Sequence, residues 1–510
     1  MKRILSLVFF ALFLTSCSYS NTSGSGEKII PPSYEDSPIY GTWKITKQLQ
    51  KREYSPDNQV ISNVLNQEIA ITDKYIIINN YYWDNVSYKM KIVSTKDYFT
   101  TLGYTSSPNN QIPTADIKVF SATYNTVNSI CDIALKDSKN AILSIAGNIY
   151  EVEKVSDSID VEKSKLTDIK EAHPVKNYTA NTKTGSLIGL KTNTTLNGES
   201  KTSYRTLWIS KEGNHLNKIY QLSDIVFPRR NGFWSIREEN IIKNNVKENI
   251  FVPRDLSSSS TPILDPESLV TEQSVHGYSS GEIKKEINFI SNDLVSLSIT
   301  GKAMRNGNEE PLSKLHVYPI SSLPFENSIS IEDIFKGTSV DFILNEFYTT
   351  LSTIKGDITF LNSDESNQNI GISRRDGHWM FKGRIPYIDN ATKKFIPYDY
   401  NLSLIPPSNV VVYDNLFEPL TKIKESVPYA IDAFSSPDNS LCIVVSDSHL
   451  YIYDIVEGPL GNLRLSDNYL TKLELNDGES VVMSEWASGE YVDSWNKTLL
   501  LQDNIKEIKK

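Results

Sequence analysis

The sequence predicts an all-β protein: a small antiparallel β-barrel followed by a β-propeller-like domain of six to eight blades, seven fitting the length best. Three observations lead there. Residues 38–155 and 176–510 are built from short apolar/polar alternations rich in β-branched and aromatic residues, punctuated by Asp, Asn, Gly and Ser, as half-buried strands and their turns require. Arg229-Arg230-Asn231-Gly232-Phe233-Trp234 returns 145 residues later as Arg374-Arg375-Asp376-Gly377-His378-Trp379, an offset of about three units of ~48 residues, close to the period of propeller blades. Late in the chain, 436–439 reads as a turn, 441–445 as a buried strand, 446–448 as a hairpin and 449–455 as the returning strand, which together make one blade. A pair of β-sandwiches is the competing architecture, because antiparallel strands with tight turns are common to both.

Before the first strand, Lys2 and Arg3 precede an apolar run from Ile4 to Leu14 broken only by Ser6. The run falls short of the ~20 residues that cross ~30 Å of hydrocarbon. Leu14-Thr15-Ser16-Cys17 closes it, and this segment resembles the lipobox signal of bacterial lipoproteins. The resemblance implies that 1–16 is a removed signal peptide, that Cys17 carries a diacylglycerol anchor, and that the protein faces the extracytoplasmic side of the cell membrane. Residues 17–37, polar and ending near Pro31-Pro32, read as a flexible tether with a root-mean-square reach of ~25 Å.

Within 38–155 the expected strands are 40–49, 67–80, 88–95, 115–124, 129–137 and 141–155. Gly41-Thr42-Trp43 is similar to the Gly-x-Trp of lipocalins, where the Trp plugs the barrel base. That resemblance implies a fold and no ligand, and it makes Trp43 a core residue. The aromatic run at 79–85 reads as a strand with one Tyr and Trp83 turned inward. Residues 156–175 are charged and nearly free of aromatics, a linker expected to hold one short helix at 161–172 that stops at His173-Pro174. Beyond it, strand pairs are expected at 186–192 with 204–210, at 287–301 with 314–320, at 400–414 and at 480–496. Tyr453-Asp454 falls where WD-type repeats place Trp-Asp.

Composition limits the function classes. Without Lys2 and Arg3 the chain has 50 basic against 62 acidic residues, a formal charge of −12, which argues against nucleic acid or anionic polymers as bulk electrostatic partners. The six histidines stand singly and no Cys/His cluster exists, so no metal or other cofactor is implied. Cys131 and Cys442 each follow Asn-Ser at the start of an apolar strand and read as buried free thiols. Ser352-Thr353-Ile354-Lys355, Ser466-Asp467-Asn468 and Lys183-Thr184-Gly185 match the three motifs of penicillin-recognising serine enzymes, but in the wrong chain order and in β-rich surroundings. Glu238-Glu239 and Glu309-Glu310 sit in polar stretches and read as solvated turns. No catalytic residue is therefore assigned. The candidate ligand-binding groups are Arg229, Arg230, Arg374 and Arg375, whose planar forks suit carboxylates, phosphates and sugar hydroxyls. The simpler reading has Arg229 and Arg374 bridge blades through buried acidic partners while Trp234 and Trp379 fill the core between blades. The function expected is a lipid-anchored binding or interaction scaffold for a protein or glycan partner. The alternatives are a propeller hydrolase or lyase, or a sensor that presents its propeller to a membrane partner.

Overall fold

The computed structural model describes residues 28–30, 37–50, 64–79, 81–103, 115–124, 128–145, 147–159, 167–168, 182–196, 199–243, 245–257, 279–324, 327–335, 338–361, 369–402, 404–457 and 463–508. The signal segment and Cys17 lie outside the described residues. Among the described residues no helix is long and apolar enough to cross a membrane.

Nine antiparallel strands form a nearly closed barrel. Gly41–Gln50 pairs on one side with Glu68–Ile71 and on the other with the late strand Asn148–Ser156, which brings the two ends of the barrel segment together. The ladder runs on through Tyr75–Ile78 to Tyr81–Asp84 in one direction. In the other it passes through Asn140–Ile145, Asn128–Leu135 and Asp116–Tyr124 to Val86–Ser94. The seam therefore lies between two strands consecutive in sequence, joined at Asn85, whose φ of 57° suits the left-handed conformation Asn tolerates. Short strands cap both sides of the seam: Lys28–Ile30 on Val86–Ser94, and Thr167–Asp168, parallel, on Tyr81–Asp84. Covering both edges removes the unpaired ladder groups that invite aggregation. These two strands also correct the linear reading, since part of the expected tether is paired, and two residues of the expected 161–172 helix are extended.

Alternation divides the barrel side chains cleanly. Trp43, Ile45, Ile69, Ile71, Ile76, Ile78, Trp83, Phe120, Leu143 and Val152 fill the interior, with Tyr81 packed against them. Trp43, only 1% exposed, donates its indole N–H to the Ile39 carbonyl at 2.8 Å. Val93, Ile117, Val119, Ala134, Ile142 and Ile149 face outward beneath the helix Thr95–Thr101, which contributes Tyr98 and Phe99.

The remainder forms four sheets set like propeller blades, and not the six to eight expected. The expectation divided the length by ~48 residues. The real strands reach 14 residues, as in Lys183–Leu196 and Glu199–Glu212, and the sheets hold six, six, four and five strands, so each consumes more chain. The first sheet adds His215–Leu216 and Ile219–Ser223, and is completed by Ser480–Ser488 and Lys506–Ile508 from the far end of the chain. The second comprises Ile225–Arg229, Gly232–Lys243, Val246–Asp255, Ser280–Ile290, Leu294–Arg305 and Asn308–Pro319. Ile358–Phe360, Ile370–Arg375, His378–Asp389 and Lys394–Asn401 make the third. Asp432–Ser435, Leu441–Val445, His449–Glu457, Leu463–Leu465 and Thr471–Glu474 make the fourth. Lys183–Leu196 is buried on both faces: Leu187 packs between the first and second sheets, and Ile188 in the core shared with the third and fourth. That double burial accounts for the unbroken Leu187-Ile188-Gly189-Leu190 within a strand whose two ends are polar.

Two expected strand pairs fail. Glu490–Leu499 is a helix, because Val492, Trp495 and Leu499 recur at helical spacing and meet the first and second sheets, with Trp495 5.6 Å from Trp208 and 5.3 Å from Phe233. Residues 404–414 carry no strand. Pro406 and Pro407 supply no ladder donors, and the chain turns instead, the Val410 N–H donating to the Pro407 carbonyl at 2.8 Å. Cys131 and Cys442 are buried and free.

Candidate functional site

The two arginine hairpins share a sequence but not a register. In the third sheet Arg375 pairs with His378, so Asp376-Gly377 is a two-residue turn with φ of 53° and 84°, the conformation that Asp-Gly favours. A Cβ at position 377 would also lie 2.5 Å from the Leu416 side chain. In the second sheet Arg229 pairs with Gly232, which moves the turn back to Arg230-Asn231. Pro228 explains the slip. A two-residue turn is closed by a hydrogen-bonded pair, and such pairs alternate with non-bonded ones. A turn at Asn231-Gly232 would place Pro228 in a bonded pair, where it has no N–H to give. The observed register sets it opposite Phe233 in a non-bonded pair. Ser373, at the matching position of the other hairpin, carries no such restriction.

A one-residue slip changes which face each side chain occupies. Trp379 is 1% exposed and packs on Phe289 at 4.8 Å, whereas Trp234 is half-buried. Arg374 lies between the Trp379 and Phe434 rings, 5.1 and 4.1 Å from their centroids. It donates to both Asp432 oxygens at 2.8 and 2.9 Å, to Asp414, and to the Ala433 carbonyl at 2.9 Å. Burial opposes its charge, but Asp414 and Asp432 outweigh that and hold the guanidinium pKa above its ordinary value. Arg375 faces the barrel, 3.8 Å from Asp97 on Thr95–Thr101, and the neighbouring His378 ring lies 3.4 Å from the Thr101 carbonyl. Close by, the buried pair Lys422–Asp132 at 2.8 Å spans the same junction. The second hairpin therefore anchors blade to blade and blade to barrel.

The first hairpin opens onto a cavity of about 740 Å³ lined by Arg229, Arg230, Asn231, Trp234, Asn292 and Asp293. Arg229 lies over the Trp234 ring, 5.0 Å from its centroid, and pairs with Asp293 at 3.0 Å. Arg230 is exposed and has no partner among the described residues. Asn292, at the turn between Ser280–Ile290 and Leu294–Arg305, donates to the Pro228 carbonyl at 3.3 Å and to Glu485 at 3.1 and 3.2 Å. Burial pushes the Glu485 carboxyl up to about 8. The sequence reading found the arginines but missed Asn292, Asp293 and Glu485. A charge inside the apolar strand Ser480–Ser488 was the available signal for Glu485.

A second cleft, of about 440 Å³, lies between the first and second sheets and includes Lys201, Glu238, Lys247, Glu282 and Lys284. Its lysines at 247 and 284 are already paired, with Glu282 at 3.2 Å and Glu286 at 2.9 Å. Glu238 is not in a solvated turn: it lies within Gly232–Lys243, half-buried, and accepts from the Asn249 amide at 2.8 Å. The serine-enzyme motifs are bound up locally. Ser352 is exposed near the end of the helix Thr338–Thr353 and donates to the Thr349 carbonyl at 2.7 Å, Ser466 donates to the Asn468 carbonyl at 2.8 Å, and Lys183 pairs with Asp493 at 2.8 Å. Among the described residues no group of three or more His, Cys, Asp or Glu could hold a metal ion. The chain matches no protein-family model and no curated protein.

Proposed function

We propose that this chain is a lipid-anchored extracytoplasmic binding protein, tethered through Cys17, whose propeller-like domain offers the Arg229–Arg230 cavity to a small anionic or glycan ligand. The lipobox-like segment supports the address. The lipocalin-like reading of the barrel rests on Gly41-Thr42-Trp43 opening its first long strand. Because the barrel interior is filled by Trp43, Trp83 and aliphatic side chains, its role in this reading is a stand that also docks the third sheet.

The observation that carries the proposal is Arg230, a guanidinium unpaired among the described residues at the edge of a concave site with an indole beside it. Arginine matches carboxylate and phosphate geometry through two parallel hydrogen bonds, and a cavity of this volume is in the range that holds small molecules. In a chain of formal charge −10, a local positive group in a concavity focuses anions that the rest of the surface repels. The test is calorimetric titration of the full-length protein in detergent with acetate, inorganic phosphate and D-glucuronate. Arg230→Ala is expected to weaken the best of these probes at least tenfold with an unchanged melting temperature. An unchanged affinity would remove the cavity from consideration.

A further inference from the structure

Behind Asn292, one side chain from the cavity, lies a carboxyl group with no counter-ion among the described residues. Glu485 is on Ser480–Ser488, paired with Leu187 across the first sheet. Leu187, Met483 and Ala487 all belong to the apolar core between the first and second sheets, and the period-two alternation of a strand directs Glu485 into that same layer. Its oxygens accept from the Asn292 amide, and Asn292 also lines the cavity.

The charged groups on the elements packed around it are otherwise occupied or turned to the cavity. Arg229 and Asp293, at the tips of the two hairpins, pair with each other at 3.0 Å, and Arg230 is exposed. On Lys183–Leu196, Lys191 pairs with Glu286 at 3.4 Å, and Lys183 pairs with Asp493 of the helix Glu490–Leu499 at 2.8 Å. Burial, to which none of these charges contributes, pushes the Glu485 carboxyl up to about 8, and the Asn292 amide, by donating to the ionised form, works against that rise.

The lining also indicates a ligand chemistry. Arg230 offers a carboxylate fork, Asn231 an amide and Asn292 its side-chain carbonyl oxygen to hydroxyl groups, and the Trp234 indole suits the C–H face of a pyranose ring. We propose that the cavity takes a carboxylate-bearing sugar, a uronic or related sugar acid, and that Glu485 gates its occupancy: the ligand is held while Glu485 carries its proton and is released when Glu485 ionises. This inference rests on the reading of the cavity as the ligand site.

The linkage has a definite sign. A bound carboxylate adds negative charge near Glu485 and makes its ionisation harder, so binding takes up a proton near pH 8. Below that pH Glu485 is already neutral and affinity is flat. Above it, each binding event must protonate Glu485 or meet its repulsion, so affinity falls with rising pH. A bound carboxylate that raises the Glu485 ionisation by about one pH unit gives about a tenfold effect.

The experiment is titration calorimetry of the full-length protein with D-glucuronate, and with D-glucose as the neutral control, from pH 6 to 9.5. The expected result is glucuronate affinity that is level to about pH 7.5 and then about tenfold weaker by pH 9.5. At pH 8 the binding enthalpy should vary with buffer ionisation enthalpy in the sense of proton uptake, a readout that needs no variant. Glu485→Gln, isosteric and permanently neutral, should make the profile flat. A flat wild-type profile, no proton uptake, or a slope that survives in Glu485→Gln overturns the gate. Glucuronate bound no better than glucose overturns the ligand class. If Arg230→Ala abolishes binding while the profile stays flat, the cavity stands as the site and the gate alone fails.

Discussion

Replacing Arg374 with Ala separates a structural arginine from a ligand-facing one. The substitution strips the counter-charge from Asp432, which faces the guanidinium through both oxygens, and from Asp414, and it empties the space between Trp379 and Phe434. The Arg374 side chain is only 9% exposed. Removing one partner of a buried ion pair costs about 3–5 kcal/mol, because the remaining charge stays desolvated. Losing the cation–π stack adds up to about 2 kcal/mol, not fully independently. A net cost of about 4 kcal/mol, at roughly 2 °C per kcal/mol for a domain of this size, lowers the melting temperature by about 8 °C. Arg374→Lys should fall between, since an ammonium keeps the charge but loses the fork. Arg230→Ala, on an exposed turn, should stay within about 0.5 kcal/mol of wild type. The assay is circular-dichroism melting of the three variants side by side. A melting temperature for Arg374→Ala within 1 °C of wild type would refute the buried-network account.

Other outcomes follow from the same geometry. Cys17→Ser should abolish fatty-acid labelling and release the protein from membranes, with undiminished labelling as the contrary result. Trp379→Ala should cost about 3–5 kcal/mol and Trp234→Ala roughly half that, because only the former is fully enclosed; equal losses in urea titrations would contradict the register difference. Trypsin should cut first within 156–175, at Lys163, Lys165 or Lys170, yet the two products should elute together at pH 7, held by Lys422–Asp132 and the contacts of Arg375 and His378 with the barrel. Burial works against the Asp132 charge, but Lys422 outweighs it and holds the carboxyl below its usual range. Its contribution is therefore complete above about pH 4 and is lost as the pH falls further, so the products should separate in acid and co-elute at neutrality. Glu485 has the opposite sign: with its folded pKa raised, ionisation opposes folding as pH climbs toward 8. Glu485→Gln should raise the melting temperature at pH 9 and leave it nearly unchanged at pH 4.

Much of this architecture was legible because strands alternate. Trp83 was placed inward by strand alternation, Trp43 by the Gly-x-Trp likeness, and 441–445 by an all-apolar stretch set between turn residues. Blade number was not legible, since periodicity gives the face of a strand but not its length, and here two neighbouring strands run to 14 residues. The 480–496 segment misled because its first half alternates as a strand while Val492, Trp495 and Leu499 follow helical spacing. The arginine repeat was visible, yet its two copies diverged through one residue: Pro228 in place of Ser373 moved the turn and turned Trp234 toward a cavity. Asn292 and Glu485 come from elements about 190 residues apart, and only the closure of the first sheet by the C-terminal strands brings them together.

The central claim, that one arginine hairpin is open to a ligand while its sequence twin is locked, is tested most directly by arginine-specific labelling of the native protein. Phenylglyoxal modification read by peptide mass spectrometry, with and without D-glucuronate, reports each guanidinium separately. Arg230 should react first and be protected by glucuronate, Arg229 should react more slowly through its pairing with Asp293, and Arg374 should stay unmodified until the protein unfolds. Modification of Arg374 at the rate of Arg230, or an Arg230 that ligand does not protect, would contradict the account.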